Sequence, residues 1–302
     1  MSTKKHEAAK KSTGAARGKK PAPLFWHWGI LGLIVVICLA WLNLGYFHKI
    51  LVSLASTLGL SPAPSSEHGQ CLQHQYKTEI VSLDPLLIYI HGFLNQQDMD
   101  GVLAAGANRF VSSEVYQDGK LVQNPYRSSS SAGLPDDDAA VACVLERSRR
   151  FLGTVLDPET DEMGIPQLVR YKKGQQYQVH HDWFKMPKPA PDGSRRWFNR
   201  VASFFVVLQA ECEGGETWFP LVEAASSGSG GGGGDGGDGA VWRRHEEGGL
   251  AFRPVAGNGL FWVNLWANGT GDTRTVHAGL PVRGGSKTAM NIWPRKYVAS
   301  SS

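Results

Sequence analysis

The sequence predicts an α+β domain whose core is an all-β barrel or jelly roll, supported by N-terminal helices and preceded by one membrane-spanning helix. Three observations predict it. From Leu24 to Phe47 the chain carries no Asp, Glu, Lys or Arg. Between Asn95 and Val155 apolar residues recur at helical spacing. After Gly164 the texture changes to short β-rich runs punctuated by Gly, Pro and Asn, the pattern of barrels and sandwiches.

The chain has 302 residues and a formal charge of +4, but that charge is unevenly placed. Residues 1–23 carry seven Lys and Arg against Glu7, a net of +6, so the remainder sums to −2. A basic tail on a near-neutral body argues against a nucleic-acid-binding domain. The apolar stretch that follows, at about 1.5 Å per helical residue, is long enough for a hydrocarbon core of about 30 Å. Trp26, Trp28, Trp41 and Tyr46 sit near its ends, as interfacial aromatics do. It is too long for the apolar region of a cleaved leader, usually about 7–15 residues. The positive flank then predicts a single-pass type II protein of the endoplasmic reticulum membrane, with a cytosolic tail and a lumenal body. The expected organisation is a disordered tail (1–23), an anchor (24–47), a lumenal stalk (48–78) and a folded domain (79–298).

Within that domain, Ile80 to Ile90 read as a strand pair broken at Asp84-Pro85. Asn95 to Arg109 reads as a helix with Met99, Val102 and Leu103 on one face. Asp137 to Val155 reads as a second, with Val141, Val144, Leu145, Phe151, Leu152 and Val155 at helical spacing. The acidic run Asp136–Asp138 reads as its cap. Strands are expected at Pro166–Tyr171, Tyr177–Phe184, Val201–Leu208, Leu250–Phe252, Gly259–Leu265, Thr273–His277 and Lys287–Trp293. Ser226 to Gly239 is almost pure Gly, Ser and Asp. It contains one match to a calcium-binding nonapeptide, but a single repeat cannot close a β-helix, so it reads as a solvated insert.

Cys38 lies in the apolar span, leaving Cys71, Cys143 and Cys212. An oxidising lumen allows one disulfide and one odd thiol, and the pairing stays open. Asn268-Gly269-Thr270 matches a glycosylation acceptor.

The chemistry sits in Tyr171-Lys-Lys-Gly174-Gln-Gln-Tyr177-Gln-Val-His180-His181-Asp182-Trp-Phe184. Alternation along a strand points His180 and Asp182 one way and His181 the other. Imidazole and carboxylate on one face are two of the three ligands of a non-haem iron site. His277 follows 95 residues after Asp182, and Lys287 ten residues after that, across Gly284-Gly285. Two histidines and a carboxylate leave three positions on a six-coordinate iron. A 2-oxo acid would chelate through two of them and dioxygen would take the third. The far carboxylate of that co-substrate needs a fixed interior cation, a role that suits Lys287 among Ala289, Met290 and Ile292.

These two blocks resemble the prolyl 4-hydroxylase family of the 2-oxoglutarate dioxygenases. So do Arg200-Val-Ala-Ser-Phe-Phe-Val-Val-Leu208, Glu213-Gly214-Gly215-Glu216-Thr217-Trp218-Phe219-Pro220, Gly257-Asn258-Gly259-Leu260-Phe261-Trp262 and Asn291-Ile292-Trp293. The resemblance runs from about Glu79 to Arg295. It implies a double-stranded β-helix core, with His180, Asp182 and His277 binding Fe(II). Lys287 would bind 2-oxoglutarate with help from Thr217 and Tyr171, and Arg200 and Trp293 would lie near the reacting groups. It also implies O2 and ascorbate as co-reactants and a proline-containing polypeptide as substrate, hydroxylated at C4 while 2-oxoglutarate is decarboxylated to succinate. That polypeptide would enter between Ser112–Ser131 and Lys185–Arg196. Two alternatives keep the same residues: hydroxylation of lysine, or a non-catalytic membrane-tethered peptide-binding module. The chain departs from the family after Thr217, where the glycine insert and Trp242-Arg243-Arg244-His245 replace further cysteines, which puts a family disulfide at Cys212 in doubt. Oligomeric state is not legible.

Overall fold

In the computed structural model the described residues are 73–117, 120–123, 128–224 and 239–298. The basic tail, the apolar span, nearly all of the stalk and residues 226–238 of the insert lie outside them. Among the described residues no helix is long and apolar enough to cross a membrane.

The strands are β1 (Lys77–Leu83), β2 (Leu86–His91), β3 (Val111–Ser112), β4 (Glu114–Gln117), β5 (Lys120–Gln123) and β6 (Ser130–Gly133). Then come β7 (Gln167–Lys172), β8 (Tyr177–His180), β9 (Lys188–Pro189), β10 (Trp197–Arg200), β11 (Ala202–Gly214) and β12 (Thr217–Phe219). The last are β13 (Trp242–Arg244), β14 (Leu250–Phe252), β15 (Gly259–Val263), β16 (His277–Gly279), β17 (Val282–Ile292) and β18 (Arg295–Val298). An eight-stranded sheet runs β1-β2-β15-β11-β17-β7-β6-β3, and a five-stranded sheet runs β13-β14-β12-β16-β8. All of their pairings are antiparallel. Two facing antiparallel sheets of this connectivity make the jelly roll that the sequence predicts. A small third sheet runs β18-β10-β9.

Alternation explains how one sheet serves two cores. On β15, Leu260 and Trp262 face the smaller sheet and pack with Phe219, Trp242, Leu250 and Phe252. Phe261, between them, faces the opposite way and joins Phe204, Val206, Met290 and Ile292 against the helices. Those helices are α1 (Gln96–Gly106) and α2 (Ala139–Leu152). Asn95 caps α1 in a capping box with Asp98, and Asp138 caps α2 by accepting from the amides of Ala140 and Val141. The acidic run thus does what the sequence suggests. Asp98 also takes the Arg147 guanidinium of α2 at 2.7 Å, with both side chains buried.

Two strand expectations are corrected. Thr273–Thr275 is a 3-10 turn, because the Asp272 side chain accepts from the Arg274 amide and caps it, and β16 begins only at His277. The strand expected over Tyr177–Phe184 ends at His180. The two segments expected to flank the substrate contain short strands: β4 and β5 lie within Ser112–Ser131, with β3 and β6 overlapping its ends, and β9 lies within Lys185–Arg196.

Candidate metal and co-substrate site

β8 and β16 pair with His180 directly opposite His277. Their ring centroids are 4.3 Å apart. Each Nδ1 is committed to a main-chain carbonyl, His180 to Gln178 at 2.8 Å and His277 to Thr275 at 3.0 Å. Both rings therefore donate from Nδ1 and turn an Nε2 lone pair inward, as metal-bound imidazoles are held. Asp182 lies two residues past the end of β8. Its Oδ1 is 3.8 Å from His180 Nε2 and its Oδ2 3.8 Å from His277 Nε2. The three ligand atoms all lie within 4.8 Å of one another. His181 points away, its Nε2 against the Thr273 carbonyl at 3.1 Å.

Asp182 is buried, which alone would raise its pKa. The neighbouring His277, His180 and Arg200 and a hydrogen bond from Ser203 outweigh that and bring it to about 2. The Ser203 hydroxyl donates to Oδ2 at 2.7 Å and accepts from Asn264 Nδ2 at 2.9 Å. Neither Ser203 nor Asn264 stands out as a site residue in the sequence. They come from β11 and from just beyond β15, and only the folded sheet brings them behind Asp182. Trp183 donates its indole N–H to the Asp272 carbonyl at 3.1 Å and packs on Gly271, where a Cβ would lie 2.2 Å from the ring. Bonds from His181 and Trp183 thus tie the segment carrying His180 and Asp182 to the turn preceding His277.

Lys287 is 1% exposed, on β17 opposite Tyr171 of β7. Its ammonium donates to the Gly215 carbonyl and lies 5.2 and 5.4 Å from the rings of Tyr171 and Phe205. Among the described residues no carboxylate lies within ion-pair distance of it. Burial lowers its pKa to about 8, with Cys212 and Glu216 pulling the other way. Thr217 is buried on β12 and pairs with Gly279 of β16, and a Cβ at Gly279 would lie 3.9 Å from the Tyr171 hydroxyl. Lys287, Thr217 and Tyr171 therefore gather on one side of the three-residue cluster. On another side, Arg200 donates to the Asp182 carbonyl at 3.2 Å and stacks 3.7 Å over Trp293. The Trp293 indole N–H is buried with no hydrogen-bond partner.

Cys143 is disulfide-bonded and Cys212 is a free thiol. The cysteine left over is thus the one beside Lys287, and burial raises its pKa.

These residues fit an iron and its co-substrate. Two imidazoles and a carboxylate converge, and three ligands leave positions open. A buried ammonium without a carboxylate partner is costly unless an anion completes it.

Comparison with known proteins agrees. Residues 166–295 match the family model described as the 2OG-Fe(II) oxygenase superfamily. The chain is 28% identical to prolyl 4-hydroxylase 1 of Arabidopsis thaliana over 227 residues, 74% of either chain. It is 34% identical to prolyl 4-hydroxylase subunit alpha-2 of Gallus gallus over 212 residues, which are 69% of this chain and 34% of that one. A viral collagen prolyl hydroxylase structure from Paramecium Bursaria Chlorella virus-1 aligns with TM-score 0.47 at 21% identity, over 74% of this chain and 98% of that one. Motif, site and sequence relatives lead to one assignment: the chain is a 2-oxoglutarate-dependent dioxygenase that uses Fe(II), 2-oxoglutarate and O2, and it is similar to the prolyl 4-hydroxylases.

Proposed function

We propose that the protein hydroxylates C4 of a proline within a polypeptide, with decarboxylation of 2-oxoglutarate to succinate. The observation that carries this reading is the unpaired, buried Lys287 beside an open cluster of His180, Asp182 and His277, in a chain whose relatives are prolyl 4-hydroxylases. When bound, iron with its co-substrate supplies the oxidising chemistry. The protein's own residues do the rest. His180, Asp182 and His277 would hold the metal. Lys287, with Thr217 and Tyr171, would anchor the far carboxylate of 2-oxoglutarate. Arg200 and Trp293 form a flat cation–aromatic wall next to Asp182, suited to orienting the peptide at the proline. Ascorbate would keep the metal reduced between cycles.

The test is mass spectrometry of proline-rich and lysine-containing peptides incubated with the protein, Fe(II), 2-oxoglutarate and ascorbate. One added oxygen at proline C4 is expected. Oxygen found only on lysine would overturn the choice of residue, and no 2-oxoglutarate turnover with any peptide would favour the non-catalytic module.

The proposed setting is the endoplasmic reticulum membrane, spanned by residues 24–47 with the dioxygenase domain lumenal. Basic residues crowd the N-terminal flank of the apolar stretch. In sealed microsomes residues 50–302 should resist added protease. Digestion of the domain in intact vesicles would reverse the orientation.

A further inference from the structure

The reverse turn that follows β15 takes no part in the iron site. Leu265 and Gly271 bridge at its base, and the Trp266 amide donates to the Thr270 carbonyl at 2.8 Å. The Gly269 amide returns to the Trp266 carbonyl, also at 2.8 Å. Gly269 holds φ at +83°, which glycine adopts without strain, and a Cβ there would meet nothing within 4 Å. The whole tip, Trp266 to Thr270, is exposed. It carries the acceptor triplet Asn268-Gly269-Thr270.

The side chains of the triplet are already arranged. Asn268 Oδ1 accepts from the Thr270 amide at 3.0 Å and from the Thr270 hydroxyl at 2.6 Å. Among the described residues no hydrogen bond engages Asn268 Nδ2, the atom to which a sugar would be joined. Two residues earlier, Trp266 is 47% exposed, a large indole that folding leaves in water. The Arg274 guanidinium lies 4.5 Å from its ring and holds it in place. An indole presents an electron-rich face, and the C–H-bearing face of a pyranose ring is complementary to it. The turn thus offers an accessible acceptor nitrogen and an aromatic platform beside it.

We propose that Asn268 is an N-glycosylation site whose first sugar stacks on Trp266. The donor is a lipid-pyrophosphate-linked oligosaccharide of the lumen. Asn268 Nδ2 forms a bond to C1 of the sugar and loses one proton, while the C1–O bond breaks and the lipid pyrophosphate leaves. The sugar then covers the indole that the fold itself leaves bare. This rests on the proposed lumenal placement of residues 50–302, and the test separates the two ideas.

The experiment expresses the full chain in cells with a secretory pathway and reads Asn268 by mass spectrometry after enzymatic glycan release in heavy-oxygen water. Release turns a glycosylated Asn268 into aspartate carrying the heavy oxygen, whereas earlier spontaneous deamidation of the Asn-Gly pair carries none. Asn268→Gln and Thr270→Ala should each abolish the label while 2-oxoglutarate turnover persists. An Asn-Gly-Thr triplet in a long flexible extension after Ser302 is the control. Label on the control but not on Asn268 would overturn the proposal. Label on neither would overturn the lumenal placement, and the proposal with it. Trp266→Ala tests the stacking. Glycan release should lower Tm by about 3 °C in the wild type and by less than about 1 °C in Trp266→Ala. Trp266→Tyr, which keeps an aromatic face, should behave like the wild type and also serves if Trp266→Ala folds poorly. Equal shifts in all three proteins would show that the indole does not carry the sugar.

Discussion

His180 and His277 are register partners across β8 and β16, each with its Nδ1 spent on a carbonyl two residues before it in the chain. The same device fixes both rings from outside, so neither neighbour in sequence can substitute. His180→Ala should abolish metal binding and turnover. His181→Ala should keep metal-dependent turnover while losing about 1 kcal/mol of stability with its bond to Thr273. Metal content and 2-oxoglutarate decarboxylation of the two purified variants decide it, and a dead, folded His181→Ala beside an active His180→Ala would exchange their roles.

Ser203 supports Asp182 from behind. Removing its hydroxyl leaves Oδ2 without its donor and Asn264 without its acceptor. Ser203→Ala should weaken Fe(II) binding by about tenfold or more while the fold persists. Metal titration monitored by Co(II) absorption measures this, and unchanged affinity would make the bond incidental.

Lys287 predicts a pH dependence with a definite sign. Its pKa in the folded protein, about 8, lies below the ordinary 10.5. Between those values the unfolded chain binds more protons than the native one, so stability without co-substrate should rise with pH through that window. Below about pH 8 the buried charge costs about 3 kcal/mol. Co-substrate binding needs the ammonium charged. KM for 2-oxoglutarate should therefore be flat below about pH 8 and rise about tenfold per unit above it. A profile flat to pH 10 would show that the proton is not lost where burial indicates.

Asp98 serves both the α1 cap and Arg147. Asp98→Ala removes the carboxylate that faces the buried Arg147 guanidinium and should cost about 3–5 kcal/mol in urea unfolding. Replacing both residues with apolar ones should cost far less, because no charge is then left unpaired. A similar loss in the single and double variants would assign the effect to the cap alone.

What could be read from the sequence followed the range of the interactions. Period-two alternation separated His180 and Asp182 from His181, although β8 stops at His180 and a loop carries Asp182. Helical spacing and the acidic run placed α2 to within a few residues. The turn at Thr273 was misread as strand because β-branched residues look extended until Asp272 caps them. Ser203 and Asn264 reach the site only through pairing of distant strands. No local pattern marks them.

The three ligands do not share one kind of support. The two imidazoles stand on paired strands, whereas the carboxylate stands on the segment between β8 and β9, pinned where Asn199 bonds both the amide and the carbonyl of Phe184 at 2.8 Å. Local loosening of that segment therefore frees the carboxylate before either histidine. Metal loss at mild denaturant should accompany faster amide exchange around Phe184, while β8 and β16 still hold their protons.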